Sequence, residues 1–426
     1  MGSLLSGLLV IAALIGVPIF IVILAAAALG FSFAEIDLMV LPIELYRITE
    51  SQVLMALPMF ALAGFLLSES KTADRLVRLS QAALGWMPGG MIIIALLTCA
   101  FFTMLTGGSG VTIVALGALL HPSLLKSGYK DKFSIGLITT SGSLGLLLPP
   151  AIPLILYGII AQQMDIADVS ISDLFVAGLV PAFLMILALY GYGLWANRDV
   201  KIPLVKFDRK EFFSALNDAK WELAIPVVIL GGVFSGVLVI SDAAAVTALY
   251  VLIIEVFVYR EVSISRLPKV MKETMVMVGG IILILGVAMA FTNFLVDAQV
   301  PETLFDFIQK HIENKYTFLI LLNIVLLLLG ALLDIFAALV IMVPLILPVA
   351  MSYGIDPVHL GIIFVANMQI GYFTPPVGMN LFIASYRFKR SIHELYIATL
   401  PFMAVLLMVL FAITYIPTLS LFLIGK

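Results

Sequence analysis

Two stretches of this chain, 226 residues apart, carry the same pattern of proline and glycine. The matched residues are Pro122, Gly128, Gly145, Pro149 and Pro150 in the first stretch, and Pro348, Gly354, Gly371, Pro375 and Pro376 in the second. In each stretch a Pro-Pro pair interrupts an apolar segment. Interrupted hydrophobic segments at corresponding positions of two halves are the best sequence indication of a secondary transporter's binding site. The repeat therefore predicts a role in transport across a membrane.

Composition places the chain among polytopic membrane proteins. Hydrophobic residues make up 62% of its 426 positions and charged residues 12%, and the mean hydropathy is +1.18, far from the balance of a soluble domain. The net charge of −3 gives no indication of a nucleic-acid partner. The single cysteine, Cys99, excludes an intramolecular disulfide and a cysteine-built metal site. The sequence contains no nucleophile arrangement or Walker motif, so it predicts neither an enzyme nor an ATPase.

Nine apolar segments are long enough to cross a bilayer. They lie near residues 4–29, 51–69, 132–160, 174–196, 223–241, 243–259, 275–296, 358–385 and 394–422. The first exceeds the length of a signal-peptide core and has no basic region before it, so we expect a retained span. The segments 132–160 and 358–385 contain the Pro-Pro pairs and are predicted to be broken spans.

Two further segments, 89–123 and 317–353, are too long for one span. A straight helix of about 30 residues would extend about 45 Å, well beyond the hydrocarbon core. The sequence Thr-Gly-Gly-Ser-Gly at residues 106–110 lies in the middle of the first segment. It predicts a re-entrant hairpin with two arms of about four turns. Gly330 and Asp334 lie in the middle of the second segment, where the hairpin is predicted mainly from the repeat.

The distribution of basic residues predicts the orientation of the chain. If the segment Arg198 to Lys220 is cytoplasmic, the basic residues left on the outer side are Arg47, Lys310, Lys315 and Lys426. This positive-inside asymmetry places the N-terminus in the cytoplasm and the C-terminus in the periplasm. The first hairpin then lies on the inner side, the second lies on the outer side, and the 223–241 span is the crossing that inverts the second half.

The predicted fold class is an all-α polytopic membrane protein built from inverted repeats, each with a re-entrant helical hairpin and a broken transmembrane helix. Residues 1–197 form the first repeat, residues 198–242 a cytoplasmic connector with a linking span, and residues 243–426 the second repeat. Amphipathic stretches before the hairpins, Lys71–Leu84 and Pro301–Tyr316, are expected to lie along opposite membrane faces. A third such helix is expected at the end of the connector.

The order of hairpin, loop and Pro-Pro-broken span, repeated in inverted form, resembles the large membrane subunit of TRAP (tripartite ATP-independent periplasmic) transporters. The resemblance rests on Gly-Ser-Leu-Gly-Leu-Leu-Leu-Pro-Pro-Ala-Ile-Pro from Gly142 and on Gly-Tyr-Phe-Thr-Pro-Pro-Val-Gly-Met-Asn from Gly371. It covers essentially the whole chain. The first hairpin tip of this family is usually richer in serine and alanine than the Thr-Gly-Gly-Ser-Gly found here.

The resemblance implies a secondary active importer of the bacterial inner membrane, with an elevator motion coupled to Na⁺ as the only cofactor. The expected substrates are small organic anions, either carboxylates such as C4-dicarboxylates and sialic acid, or sulfonates. Besides the lipid bilayer, two partners are implied: a small membrane subunit with four helices and a periplasmic substrate-binding protein.

The broken helices give the repeated residues a chemical role. Proline lacks an N–H, so each Pro-Pro pair can leave preceding carbonyls, near 145–148 and 371–374, without intrahelical donors. In a membrane such groups must be satisfied by protein or by a polar cavity, and together with hydroxyls they can bind Na⁺. We therefore expect one sodium site per repeat. Site one would contain Thr103, Thr106, Gly107, Ser109, Gly145, Leu148 and Pro150. Site two would contain Gly330, Gly371, Thr374 and Val377.

Simpler interpretations of these residues remain open. Glycine and proline can serve only to shape and pack membrane helices, and Thr106 and Ser109 can bond back to their own helix. The candidates for contact with the substrate are Thr106 and Ser109 at the first tip, Asp334 at the second tip, and Arg47. Asp334 is equally compatible with capping the helix that follows it, and Arg47 with a solvated loop.

Two other functions are compatible with the sequence. A stand-alone sodium:dicarboxylate symporter of similar hairpin architecture would transport without a binding protein. A channel or scaffold subunit would show neither gradient-driven accumulation nor sodium dependence.

Overall fold

The computed structural model describes residues 7–9, 11–12, 15–47, 52–164, 168–199, 207–312 and 314–425. Parts of the predicted 4–29 span and of the connector, together with Lys426, lie outside these residues. The described chain is helical and contains no strand. Its α-helices are Ile19–Phe33, Val40–Arg47, Ala56–Glu69, Thr72–Leu84, Gly90–Thr106, Ser109–Lys126, Asp131–Ser141, Ile152–Gln163, Ile171–Ala177, Leu179–Ala196, Arg209–Asp218, Lys220–Phe234, Ile240–Ile253, Leu267–Asp297, Val300–His311, Lys315–Leu332, Ile335–Ser352, Pro357–Gly371, Met379–Phe388, Ile392–Tyr415 and Thr418–Leu421.

Seven of the described helical segments are long and apolar enough to cross a membrane, and two bent helix pairs raise that number to nine. The unbent segments are Ser109–Lys126, Ile171–Ala196, Ile240–Val258, Ile264–Asp297, Lys315–Leu332, Ile335–Ser352 and Ile392–Tyr415. Such lengths approach or exceed the hydrocarbon thickness of a bilayer. The chain is therefore a multi-pass membrane protein, as its composition predicts.

Helix boundaries recur at the 226-residue interval of the sequence pattern. The helices Ser109–Lys126 and Ile335–Ser352 begin and end at corresponding residues. The turns that follow them contain Gly128 and Gly354, with φ +96° and +68°, a conformation that glycine adopts without strain. The pattern in the sequence is thus a repeat of three-dimensional structure.

The two halves pack on each other reciprocally. Helix Ser109–Lys126 of the first half lies against Met379–Phe388 of the second, and its counterpart Ile335–Ser352 lies against Ile152–Gln163 of the first. Contacts that recur with the two partners exchanged indicate an approximate two-fold axis. The hairpins and broken spans of both halves are grouped around that axis.

Each hairpin consists of two helices separated by a two-residue break, at Gly107–Gly108 in the first and at Leu333–Asp334 in the second. The arms contain 17 or 18 residues, which is about five turns. The expected arm length of about four turns is therefore wrong. Gly330 lies inside an arm rather than at the break, because an α-helix tolerates a single glycine.

The linking span predicted over 223–241 is shorter in the structure. Helix Lys220–Phe234 ends after 15 residues, because Ser235 and Gly236 turn the chain, with Gly236 at φ +73°. The next helix begins at Ile240. A helix of 15 residues is shorter than the roughly 20 that cross a hydrocarbon core without adjustment.

The three predicted amphipathic stretches are helical, over Thr72–Leu84, Val300–His311 and Arg209–Asp218. Helix Thr72–Leu84 turns by 75° from the helix before it. Arg78 on this helix pairs at the surface with Glu211 of the connector helix. The hydrogen bond from the Arg78 guanidinium holds the pKa of the Glu211 carboxyl below its usual value.

A buried ion cluster fixes helix Thr72–Leu84 to the helices that follow the connector. The Arg75 guanidinium contacts Glu222, and lies 2.7 Å from Glu261 and 3.5 Å from Glu255. The same guanidinium lies over the ring of Tyr259, 3.9 Å from its centroid. Glu222 and Glu255 are both buried, so Arg75 supplies their charge compensation.

Candidate functional site

At the first hairpin tip, two glycines separate the end of one helix from the start of the next. The Gly107 N–H donates to the Thr103 carbonyl at 2.7 Å, and Gly107 has φ +68°, the left-handed conformation that closes a helix. Gly108 is extended and precedes Ser109, where the second arm begins. This N-terminus has no side-chain cap, so the amides of its first turn are left for another acceptor.

Gly145 brings the first broken span into backbone contact with the hairpin. A Cβ atom on Gly145 would overlap the carbonyl oxygen of Ala100 and the amide nitrogen of Met104, so this close approach requires glycine. A 3-10 turn over Leu144–Leu147 then leads to Leu148 and the cis Pro149-Pro150 bond.

Thr103 joins both hairpin arms to the broken span. Its hydroxyl donates to the Gly142 carbonyl at 2.8 Å and lies 2.6 Å from the Thr112 hydroxyl. Thr103 and Thr112 are fully buried. We call the two hydroxyls, the Gly142 carbonyl and the neighbouring Ala100 carbonyl oxygen cluster one.

Two other residues predicted for site one have different partners. The Thr106 hydroxyl donates to the Phe102 carbonyl of its own helix at 2.8 Å. The Ser109 hydroxyl donates to the side-chain oxygen of Asn380 at 2.8 Å. The back-bonding alternative thus describes Thr106, whereas Ser109 links the first tip to the second half of the chain.

In the second half, Gly330 and Gly371 place two backbones in contact. A Cβ atom on Gly371 would lie 2.6 Å from the Gly330 Cα. The Gly378 N–H donates to the Ala331 carbonyl at 2.9 Å, which ties the loop after Pro375-Pro376 to the second hairpin. The predicted pairing of Gly330 with Gly371 is therefore present.

Carbonyl oxygens converge beside Gly378. Those of Tyr372 and Thr374 each lie 2.9 Å from the position that a Cβ atom on Gly378 would take. With the Ala331 carbonyl they form oxygen cluster two. The Thr374 hydroxyl donates to the Ile370 carbonyl at 2.9 Å, and Val377 is exposed.

Two carbonyls expected to be free are bonded within their turns. Gly145 and Gly371 each accept an N–H from three residues on, from Leu148 at 3.0 Å and from Thr374 at 2.9 Å. The expectation that these two carbonyls lack local donors is wrong, because each break is a tight turn rather than an open chain. A carbonyl has two lone pairs, so each keeps one for a further ligand.

Both hairpin tips border one cavity of about 700 Å³, a size that suits a small ligand. Residues 107–111 line it from the first tip, and Ile335 and Phe336 from the second. Tyr372 lines it from the second broken span. The opposite wall belongs to helices Ala56–Glu69 and Leu267–Asp297 and consists of Phe65, Ser68, Glu69, Glu273 and Met277.

The two tips differ at equivalent residues. The Asp334 carboxylate accepts the N–H groups of Phe336 and Ala337 at 2.9 and 3.1 Å, so it caps the second arm of its hairpin. The residue at the corresponding position of the first hairpin is Gly108, which has no side chain with which to cap. The first tip therefore presents uncapped amides beside the cavity, and the second tip does not.

Arg47 lies away from this arrangement. It ends helix Val40–Arg47 and lies 3.8 Å from Glu44. Arg47 and Asp334 do not belong to the lining of the cavity between the tips.

Asn380 is a site residue that the sequence analysis missed. It is fully buried, accepts the Ser109 hydroxyl, and directs its amide nitrogen at the Thr139 carbonyl at 3.5 Å. The signal that identifies it is a lone amide at the end of the second Pro-Pro motif, four residues after Pro376.

Several proteins of similar sequence are named as TRAP transporter permeases. Residues 6–419 match the family described as Tripartite ATP-independent periplasmic transporter, DctM component. The chain is 36% identical over 382 residues to the C4-dicarboxylate TRAP transporter large permease protein DctM of Pseudomonas aeruginosa, covering 89% of this chain and 88% of that protein. It is 35% identical over 418 residues to the isethionate TRAP transporter permease protein DctMQ of Oleidesulfovibrio alaskensis, covering 96% of this chain but 65% of that longer protein.

A solved structure shares the fold. The Alcanivorax borkumensis YdaH transporter superposes with a TM-score of 0.61 over 86% of this chain and 84% of that chain, at 17% sequence identity.

The helical architecture and the permease relatives together define a polytopic membrane transport protein rather than an enzyme. The chain belongs to the TRAP transporter family, as its large membrane subunit. The resemblance that rests on the two Pro-Pro motifs is confirmed.

Proposed function

We propose that this subunit is the permease of a sodium-coupled importer of small organic anions, which a periplasmic binding protein delivers. The relatives named for C4-dicarboxylates and isethionate support an organic acid as the substrate. A carboxylate and a sulfonate share a negative charge and several acceptor oxygens, which is the chemistry that free backbone amides bind.

The observation that carries the proposal is the uncapped helix N-terminus at Ser109, on the wall of a cavity of about 700 Å³. Amides of a first helical turn and the helix dipole favour an anionic group at this position. Among the described lining residues there is no lysine, arginine or histidine. The acid of the substrate would therefore bind to the backbone of the first tip.

The two oxygen clusters are the proposed sodium sites. Each lies where a hairpin arm meets a broken span, and each offers neutral carbonyl or hydroxyl oxygens. The described residues contain no group of three or more His, Cys, Asp or Glu that could hold a metal ion, so a coupling cation would depend on such neutral oxygens. A cation bound to cluster one would hold the first tip against the broken span and so stabilise the substrate site.

The domain organisation and orientation are part of the same proposal. Residues 1–197 and 243–426 form repeats of opposite orientation, with the N-terminus in the cytoplasm and the C-terminus in the periplasm of a bacterial inner membrane. The hairpins and broken spans move as an elevator past helices Ala56–Glu69 and Leu267–Asp297, which form the opposite wall of the cavity. The implied partners are a small four-helix membrane subunit and the periplasmic binding protein.

Thermal unfolding of the detergent-purified chain across a Na⁺ titration, with ionic strength held constant by choline, tests sodium binding. A ligand that binds only the folded state raises the midpoint as its concentration increases. We expect a saturable rise that Thr103→Val weakens. The matched control is Thr399→Val, because the Thr399 hydroxyl is equally buried but bonds to its own helix. A midpoint that responds equally to Na⁺ and choline would contradict the proposal.

A further inference from the structure

Equivalent residues of the two hairpin tips are joined through two intervening residues. Ser109 begins the second arm of the first hairpin, and Ile335 has the same position in the second hairpin, 226 residues on. The Ile335 N–H donates to the Tyr372 hydroxyl at 3.0 Å. The Tyr372 backbone carbonyl accepts the Asn380 N–H at 2.9 Å, and the Asn380 side-chain oxygen accepts the Ser109 hydroxyl at 2.8 Å. We call Tyr372 and Asn380 the tip bridge.

The hydrogen bonds of the tip bridge are buried at both ends. The two bridge residues and the two tip residues that they hold are each at most 3% exposed. When a buried hydrogen bond breaks, the donor or acceptor that remains is left unsatisfied, at a cost in free energy. A tip that moves away from the bridge therefore loses a bond that solvent does not replace, unless the bridge and the other tip move with it.

The bridge exists in one repeat only. The residues of the first repeat that correspond to Tyr372 and Asn380 are Leu146 and Leu154, and both leucines are fully buried. Leucine fills such positions without any polar group to satisfy, whereas a buried hydroxyl or amide is unfavourable unless it is hydrogen-bonded. Packing within the repeat thus does not explain the polar pair, but the bonds that it makes to the two tips do.

The bridge also contacts both of the proposed ligand sites. The Tyr372 carbonyl that accepts the Asn380 N–H belongs to oxygen cluster two. A carbonyl has two lone pairs, so it can accept this N–H and contact a cation at the same time. At the other end, Ser109 begins the helix whose first-turn amides are the proposed site for the acid of the substrate.

We propose that Tyr372 and Asn380 are positioning residues that couple the two hairpin tips, so that a ligand that orders one tip also orders the other. The role of this coupling in transport rests on the proposed function. A cation in cluster two would order the first tip for the acid of the substrate. Because coupling between two sites is reciprocal, the bound acid would raise the affinity of cluster two for the cation by the same factor.

Hydrogen exchange of backbone amides, followed by mass spectrometry on the detergent-purified chain, measures the opening of each tip separately. The peptides compared contain residues 107–112 and 333–338. Tyr372→Phe removes the acceptor of an N–H group at the second tip, and Ser109→Ala cuts the bridge at the first tip. We expect each variant to speed exchange at the opposite tip about fivefold or more, the lower end of coupling factors between sites.

A control and a double variant separate coupling from a general loss of stability. Tyr157→Phe is the matched control, because the Tyr157 hydroxyl is removed from an equally buried ring and bonds across the two halves to the Pro357 carbonyl, away from both tips. This control is expected to leave exchange at both tips unchanged. In a chain that already carries Asn380→Leu, Tyr372→Phe is expected to have no further effect on the first tip, because the bridge is already cut.

Three results would overturn the inference. They are effects confined to the tip that is altered, equal effects in the Tyr157→Phe control, and an effect of Tyr372→Phe on the first tip that persists beside Asn380→Leu. Exchange at both tips is also followed across a Na⁺ titration of the unaltered chain. Selective protection by Na⁺ without reciprocal effects would leave the sodium-coupled function standing and reject the bridge. Reciprocal effects without any response to Na⁺ would confirm the bridge and contradict the proposed sodium sites.

Discussion

Ser143 and Gln369 occupy corresponding positions of the two repeats and contact each other. The Ser143 hydroxyl donates to the Gln369 backbone carbonyl at 3.0 Å across an interval of 226 residues. Equivalent residues can meet only near a symmetry axis, so this bond lies close to the approximate two-fold axis of the fold. Both residues are fully buried, and the two broken spans are held together there.

The first prediction concerns this bond. Ser143→Ala leaves the buried Gln369 carbonyl without the hydroxyl, and we expect a loss of about 1–3 kcal/mol of stability, the cost of a buried unsatisfied acceptor. The measurement is the unfolding midpoint in detergent. Ser134→Ala is the matched control, because the Ser134 hydroxyl is fully buried but bonds only to Lys130 of its own turn. Equal midpoints for the two variants would show that the axial bond contributes nothing.

The second prediction concerns the glycine contacts. Gly145→Ala and Gly371→Ala each force a Cβ atom into a neighbouring backbone, so we expect destabilisation of about 1–3 kcal/mol or more and a weaker response of the midpoint to Na⁺. Gly279→Ala serves as the control, because nothing lies within 4 Å of its added Cβ. In a helix this control change is expected to stabilise by about 0.5–1 kcal/mol.

The third prediction transfers the cap of the second tip to the first. In the Gly108→Asp variant, the new carboxylate would accept hydrogen bonds from the first-turn amides that we propose bind the acid of the substrate. We therefore expect the apparent Kd of an acid probe to rise at least about tenfold. The unfolding midpoint is expected to stay the same or to rise slightly, because aspartate is at least as good an N-cap as glycine. Gly108→Ala adds a Cβ atom without a cap and is the control. Unchanged binding in Gly108→Asp would place the anion elsewhere.

The fourth prediction compares two arginines on helix Thr72–Leu84. Arg75→Met removes the cation from the buried Glu222 and Glu255, and breaking a buried ion pair from one side costs about 3–5 kcal/mol. Arg78→Met breaks only pairs at the surface and is expected to have a much smaller effect, because exposed pairs contribute little. Similar losses of thermal stability in both variants would mean that the buried cluster does not anchor this helix.

Much of the fold could be predicted because its signals are local. The break of the first hairpin follows from its two glycines, whereas the second hairpin was predicted mainly from the repeat. The broken spans follow from proline, and the amphipathic helices follow from periodic charge. The length of the linking span could not be predicted in this way. Its apolar residues continue past Phe234, whereas the left-handed conformation of Gly236 ends the helix.

The sites were less predictable, because oxygen ligands converge from distant parts of the chain. The pairing of Gly330 with Gly371 follows from the repeat and from the small size of glycine. The bond from Ser109 to Asn380, 271 residues apart, has no local signal beyond a lone amide. The roles assigned to Thr106 and Thr374 as cation ligands stay predictions, and both hydroxyls donate within their own helices.

The sequence by itself determined that this chain is a multi-pass membrane protein with a repeated, proline-broken core, and to which family it belongs. The length of an apolar run and the effects of glycine and proline on the backbone are local properties. They depend on a few neighbouring residues, so the sequence shows them directly. The tertiary structure decided that the two tips share one cavity, that Asp334 caps its tip while Gly108 leaves the other open, and that two glutamates lie on the facing wall. These are relationships between surfaces, and they exist only after the two halves pack around their common axis.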